Sequence, residues 1–243
     1  MTTKRAFAIV AMALIPLAVG MAGRTRGVAG EKVHTPVVVL LGDSTTRDLG
    51  PEAPAVKREV DALIKSVKDR PAVINAGVGG DTAGGGLARL ERSVLAHHPD
   101  VVTVSFGLND TGSVRPATFK ENLANLVQAL HKANVKVVLM TSTPFDNERH
   151  VWAPKFKDKG GLDEYLDKEL LASVRELADG KDVLLCDLHA IFKEEFRKNP
   201  ESIATLICPD GVHLTPAGND VMAKHMAPVI AAAITSLTSS PAP

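Results

Sequence analysis

The 243-residue chain has no surplus of either charge, with 28 Lys and Arg against 28 Asp and Glu. No Lys/Arg-rich run marks a basic patch, so nucleic acid is not an expected partner. Cysteine is nearly absent. Cys186 and Cys208 permit one bridge, or else two free and mostly buried thiols. No internal repeat is visible, and no low-complexity linker follows residue 30. No Gly-Lys-Ser/Thr occurs, which excludes a P-loop, and the glycines from Gly77 fail as a dinucleotide fingerprint because position 82 is Thr82. The G-x-S-x-G elbow of the α/β-hydrolases is also missing. What remains is ordinary for a soluble globular protein, 45% hydrophobic and 23% charged. The length suffices for one well-packed domain.

The amino-terminal segment differs from the rest. Lys4 and Arg5 precede a charge-free stretch over residues 6–23, and small residues follow. This pattern is that of a secretory signal peptide, with small-x-small sites at 20–22 and 27–29. An uncleaved membrane anchor is the alternative, since the stretch is long enough to span, and Arg24 and Arg26 after it remove any positive-inside asymmetry. The expected organisation is a signal segment over 1–30 and one folded domain over 31–243. The product would be periplasmic or secreted, touching membrane only if the segment is retained. Without residues 1–30 the chain carries 24 basic and 28 acidic residues, a net charge of −4.

Beyond residue 36, short runs rich in Val, Ile and Leu alternate with stretches of helical spacing. The runs cover 36–41, 72–75, 101–106, 135–141 and 183–187. Nearly continuous apolar runs suit strands buried on both faces of a parallel sheet. The stretches 56–67, 86–95, 118–132, 162–178 and 217–237 are the expected helices, and Leu123, Leu126, Val127 and Leu130 share one face. The alternation predicts an α/β three-layer sandwich with a five-stranded parallel, flavodoxin-like sheet. Chemistry is then expected in the loops at the carboxyl ends of the strands.

Four such loops carry candidates. Gly42-Asp43-Ser44 follows the first strand. A serine there can present its hydroxyl at the sheet edge with its N–H in a helix-terminal field, although the same tripeptide also serves as a helix cap. The second loop is Asn75-Ala76-Gly77-Val78-Gly79-Gly80-Asp81-Thr82, whose glycines admit close backbone approach or simply a tight turn. In Gly107-Leu108-Asn109-Asp110 the Asn109 amide can donate to an oxyanion, or the pair can be a turn. In Asp210-Gly211-Val212-His213 a bend can bring the carboxylate to one imidazole nitrogen and leave the other for a serine, making His213 a general base.

Their joint order resembles the SGNH/GDSL hydrolase superfamily over residues 37–230. The four blocks are matched by Gly42-Asp43-Ser44, by the glycine loop through Gly80, by Gly107-Leu108-Asn109-Asp110 and by Asp210-Gly211-Val212-His213. The first block continues Thr45-Thr46 where the family often has Leu. The resemblance implies a serine esterase with a Ser44, Asp210 and His213 triad and an acyl-enzyme intermediate. It further implies an oxyanion hole from the Ser44 and Gly80 N–H groups and the Asn109 amide, with no metal and no organic cofactor.

The substrate is a small-molecule or carbohydrate ester. The long loop over 142–161 holds the only tryptophan, Trp152, with Phe145 and Phe156 beside it and charged residues interleaved. An amphipathic aromatic among polar groups suits a sugar ring, so an acetylated carbohydrate is favoured, with packing of Trp152 between loop and domain as the alternative. Lipase, lysophospholipase, thioesterase, sugar O-acyltransferase and non-catalytic carbohydrate-binding readings stay open. A bridge between Cys186, ending the fifth strand, and Cys208, two residues before Asp210, would tether the catalytic loop.

Overall fold

The computed structural model describes residues 34–66 and 69–239, so the expected signal segment lies outside them. The five apolar runs form strands β1 (Val37–Gly42), β2 (Ala72–Gly77), β3 (Val101–Ser105), β4 (Lys136–Met140) and β5 (Val183–Cys186). All neighbours pair in parallel in the order β2-β1-β3-β4-β5, the flavodoxin-like arrangement. The helices are α1 (Ser44–Arg47), α2 (Pro54–Leu63), α3 (Ala83–Ala88), α4 (Leu90–Ser93), α5 (Leu108–Ser113), α6 (Pro116–Lys132), α7 (Leu162–Tyr165), α8 (Ala172–Leu177), α9 (Leu188–Lys198), α10 (Ser202–Leu206) and α11 (Pro216–Ser239).

Strand β1, paired on both sides, shows why the runs are apolar throughout. Successive side chains of a strand point to opposite faces. Val39 and Leu41 enter one cluster with Phe119, Leu123, Leu126 and Leu130 of α6. Val38 and Leu40 enter a second with Val56 and Val60 of α2 and Ala223, Ala227 and Ile230 of α11. All four strand residues are fully buried, and each such side chain stabilises the fold by roughly 1.5–3 kcal/mol. Helices on both faces leave the carboxyl end of the sheet as its open edge.

Three stretches depart from the sequence reading. The helix expected over 86–95 is broken into α3, α4 and a 3-10 turn at Leu95–His97. The break falls at Arg89, whose backbone leaves the helical region (φ −106°, ψ 4°) and whose side chain is buried. The helix expected over 162–178 runs as α7 and α8 joined by a π-helical segment, Leu166–Leu171. Helix α9 escaped notice because charged residues dominate its exposed face, although Leu188 and Phe192 bury one side of it, and α10 is a five-residue segment too short to show a helical period.

Of the two alternatives left open for the cysteines, the structure has both free and no bridge between them. The Cys186 thiol is buried and points at the His225 carbonyl of α11, 3.6 Å away, while Cys208 is half-buried in the loop before Asp210. Burial pushes the Cys186 thiol up to about 12, which keeps it protonated and inert. Thiol titration of the unreduced, denatured protein is expected to find both cysteines. In the native protein Cys208 should react first, and a protein with no titratable thiol would contradict this.

Candidate active site

The candidate nucleophile lies on α1, a single turn that follows β1 directly. Asp43 caps it, its carboxylate accepting from the Thr45 N–H at 3.0 Å and the Thr45 hydroxyl at 2.9 Å. The turn sits very close to the sheet edge. A Cβ on Gly42 would fall 2.1 Å from Thr46 Oγ1, and one on Gly77 would fall 2.2 Å from the Arg47 nitrogen. Asn75 fastens the turn from β2. Its Nδ2 donates to the carbonyls of Thr46 and Gly50, both at 2.7 Å, and its Oδ1 accepts from the Gly77 N–H at 2.9 Å. Ser44 is only 8% exposed.

The imidazole comes from a hairpin before α11. An antiparallel bridge joins Ile207 to Leu214, and the Cys208 N–H donates to the His213 carbonyl at 2.7 Å. Asp210 Oδ1 accepts from the N–H groups of Val212 and His213 at 3.1 and 3.0 Å. Its Oδ2 lies 2.7 Å from His213 Nδ1, and His213 Nε2 lies 2.9 Å from Ser44 Oγ. An ionised carboxylate can only accept. The Nδ1 proton therefore faces Asp210, which leaves the Nε2 lone pair for the serine hydroxyl. Burial pushes the Asp210 carboxyl up, but the His213 hydrogen bond and the two amides prevail and hold it below the usual carboxylate range. Its charge is thus present whenever the imidazole must become a cation.

Donors for a developing oxyanion flank the serine. As first residue of α1, Ser44 has an N–H with no carbonyl to serve inside the turn. Gly80 has φ +75° and nothing within 4 Å of the place a Cβ would take, a left-handed conformation that glycine adopts without strain. The Asn109 Nδ2 donates one hydrogen to the Asp81 carbonyl at 2.9 Å, which orients the amide and leaves its second hydrogen. The structure thus joins Ser44, His213 and Asp210 directly and ties Asn109 to Asp81, the residue after Gly80. Among the described residues, no three His, Cys, Asp or Glu side chains are grouped as metal ligands.

Trp152 is half-buried rather than presented to solvent. A Cβ on Gly112 of α5 would fall 2.8 Å from its ring, and its ring centroid lies 5.1 Å from that of His150 in an edge-on arrangement. Packing the loop against α5 is thus its observed role, three residues along the chain from Asn109. His150 itself was not anticipated. Its Nδ1 accepts from the Trp152 N–H at 3.2 Å, its ring lies 4.7 Å from Phe145, and burial keeps it below its ordinary value against the pull of Asp210. The same loop supports the hairpin, because the Asp146 N–H donates to the Gly211 carbonyl at 2.8 Å. Gly211 (φ +77°) has room for no Cβ, which would fall 2.6 Å from the His150 nitrogen. These supports carry no motif, and only the three-dimensional arrangement reveals them.

Comparison with known proteins bears on the family and the fold. Residues 40–221 match the GDSL-like Lipase/Acylhydrolase family. The uncharacterized lipoprotein YqeF of Bacillus subtilis (strain 168) is 28% identical over 204 residues, covering 74% of this chain and 84% of that protein. The crystal structure of the lipase/acylhydrolase from Enterococcus faecalis superposes with a TM-score of 0.66 at 28% identity, covering 82% of this chain and 96% of that one. An acetyl xylan esterase, AlAXEase, superposes with a TM-score of 0.61 at 26% identity, covering 78% and 97%.

Two buried carboxylates border the site. Burial pushes Asp43 up to about 6 despite its hydrogen bonds from Thr45, and it pushes Asp110 up to about 6 despite the amide of Ala83. A folded-state value above the ordinary 3.8 of a free carboxyl means that, between the two, the folded protein holds a proton that the unfolded chain releases. Stability from such a group is gained as pH falls through about 6 toward 3.8. Urea unfolding of wild type and Asp110→Asn at pH values near 7.5 and 5 is expected to show the difference moving in favour of wild type at the lower pH. A difference that stays constant or moves the other way would contradict the raised Asp110.

Proposed function

The chain belongs to the GDSL-like lipase/acylhydrolase family, and from that premise we propose that Ser44, His213 and Asp210 hydrolyse a carboxylic ester through an acyl-enzyme. The observation that carries the proposal is the continuous relay from Asp210 to His213 at 2.7 Å and from His213 to Ser44 at 2.9 Å. His213 Nε2 takes the Ser44 proton as Oγ attacks the carbonyl carbon. Asp210 stabilises the imidazolium and keeps its tautomer. The oxyanion is met by the N–H groups of Ser44 and Gly80 and by Asn109 Nδ2. Each such donor stabilises the transition state by about 3–4 kcal/mol. His213 then protonates the leaving alcohol, and water reverses the sequence to release the acid.

Within the ester class, we infer a short acyl group on a carbohydrate, and export from the cell. The side chains of Asp210 and His213 are 49% and 35% exposed, so a bulky alcohol can reach the relay from solvent. The likeness to an acetyl xylan esterase supports the acetyl reading. The charge-free stretch after Lys4 and Arg5 and the lipoprotein among the relatives support export. Among the described residues, no helix is long and apolar enough to cross a membrane. A lipid ester is the second reading, because Val78 in the glycine loop and Val151 beside Trp152 are 45% and 78% exposed.

Ser44→Ala is expected to lower kcat by about 10⁴-fold or more and to abolish fluorophosphonate labelling with the fold intact. Labelling that persists at another serine would refute the assignment. A panel of p-nitrophenyl acyl esters and acetylated xylan is expected to show activity confined to acetyl and other short groups. Preference for long acyl chains would overturn the carbohydrate reading and favour the lipid one.

A further inference from the structure

Arg89 is the only buried arginine among the described residues, and no step of the proposed reaction uses it. Its guanidinium makes three hydrogen bonds in three directions. Nε donates to Asp81 Oδ2 at 2.7 Å, Nη1 to the Ala76 carbonyl at 2.7 Å, and Nη2 to the Gly42 carbonyl at 3.1 Å. Each acceptor lies on a segment that carries a candidate oxyanion donor. Gly42 stands two residues before Ser44. Ala76 and Asp81 bracket the glycine loop, with Asp81 immediately after Gly80. The Asp81 carbonyl receives the Asn109 amide at 2.9 Å. The glycine loop is also tied to β1 directly, through the Val78 N–H and the Gly42 carbonyl at 3.0 Å.

Resting on the reading of Ser44, Gly80 and Asn109 as the oxyanion hole, we propose that Arg89 is a positioning residue whose forked guanidinium sets the spacing of all three donors. The surroundings are shaped for that fork. A Cβ on Gly85 would fall 1.8 Å from Asp81 Oδ1, so the glycines of α3 make room for the ion pair. The Arg89 and Asp81 side chains are only 8% and 11% exposed. Planar, divergent donors can hold two carbonyls and a carboxylate at once, whereas a lysine ammonium is a compact point charge on a flexible stem that lacks the planar fork. Donors act on a transition state only when aimed at where charge develops. A loosened fork therefore weakens kcat and leaves substrate binding in place.

The test compares wild type, Arg89→Lys and Asp81→Asn on one aryl acetate, with thermal unfolding and fluorophosphonate labelling measured in parallel. The expected result for folded Arg89→Lys is a kcat lower by about 100-fold with KM changed by less than about threefold. Labelling of Ser44 should slow to match, because the reagent's phosphonyl oxygen occupies the same donors. Asp81→Asn, which keeps an acceptor for Nε but removes its charge, should lose kcat in the same manner to a smaller degree. It carries the test if Arg89→Lys does not fold. A folded variant with wild-type kcat, or a loss that only tracks the folded fraction, would overturn the proposal. Wild-type labelling at a serine other than Ser44 would overturn the underlying site reading instead.

Discussion

Everything at the sheet edge depends on how closely a single helical turn can lie against two strand ends. An isolated turn of four residues has no stability of its own. Here it is held because Gly42 and Gly77 carry no Cβ, so Thr46 and the Arg47 backbone come into direct contact with them. Asn75 then ties the Thr46 and Gly50 carbonyls, at and just past the end of the turn, to β2. The apolar sandwich beneath supplies the stability. This contact converts it into a fixed place for one hydroxyl.

The two halves of the relay are built from opposite kinds of structure. The serine stands on the turn that directly follows β1, a buried strand flanked by β2 and β3. The imidazole and its carboxylate stand on a half-exposed hairpin, and local hydrogen bonds do the work of a core there. Asp210 is saturated by two amides and one imidazole nitrogen, so its carboxylate orients the ring without help from burial. This division suits the chemistry. The nucleophile needs fixed donors around it, and the base needs a stabilised charge and room for the alcohol to leave.

The legible part of this protein is the part that repeats a pattern. The strand runs could be read because both faces of the sheet demand apolar residues, and the five run centres fell where the strands are. Ser44, Gly80, Asn109, Asp210 and His213 could be read because a superfamily uses them in that order. Arg89 and Asn75 could not, since a lone arginine in an amphipathic stretch looks like a solvated helix face. Its burial follows only from the three acceptors that converge on it. The choice between a cysteine bridge and two free thiols stayed open in the sequence for a related reason. Proximity along the topology says nothing about direction, and Cys186 faces α11 rather than the hairpin.

The long loop after β4 performs two tasks in two separate portions. Its first portion, around Asp146 to His150, is fitted to Gly211 and thus to the base of the hairpin. Arg149 adds bonds to the carbonyls of Ile203 and Ile207. Its second portion, around residues 151–160, is largely exposed. Divergence among homologues should then be uneven. Insertions and exchanges that retune which alcohol is accepted can accumulate beyond Val151, whereas the preceding five positions are constrained by the geometry of a base they never touch.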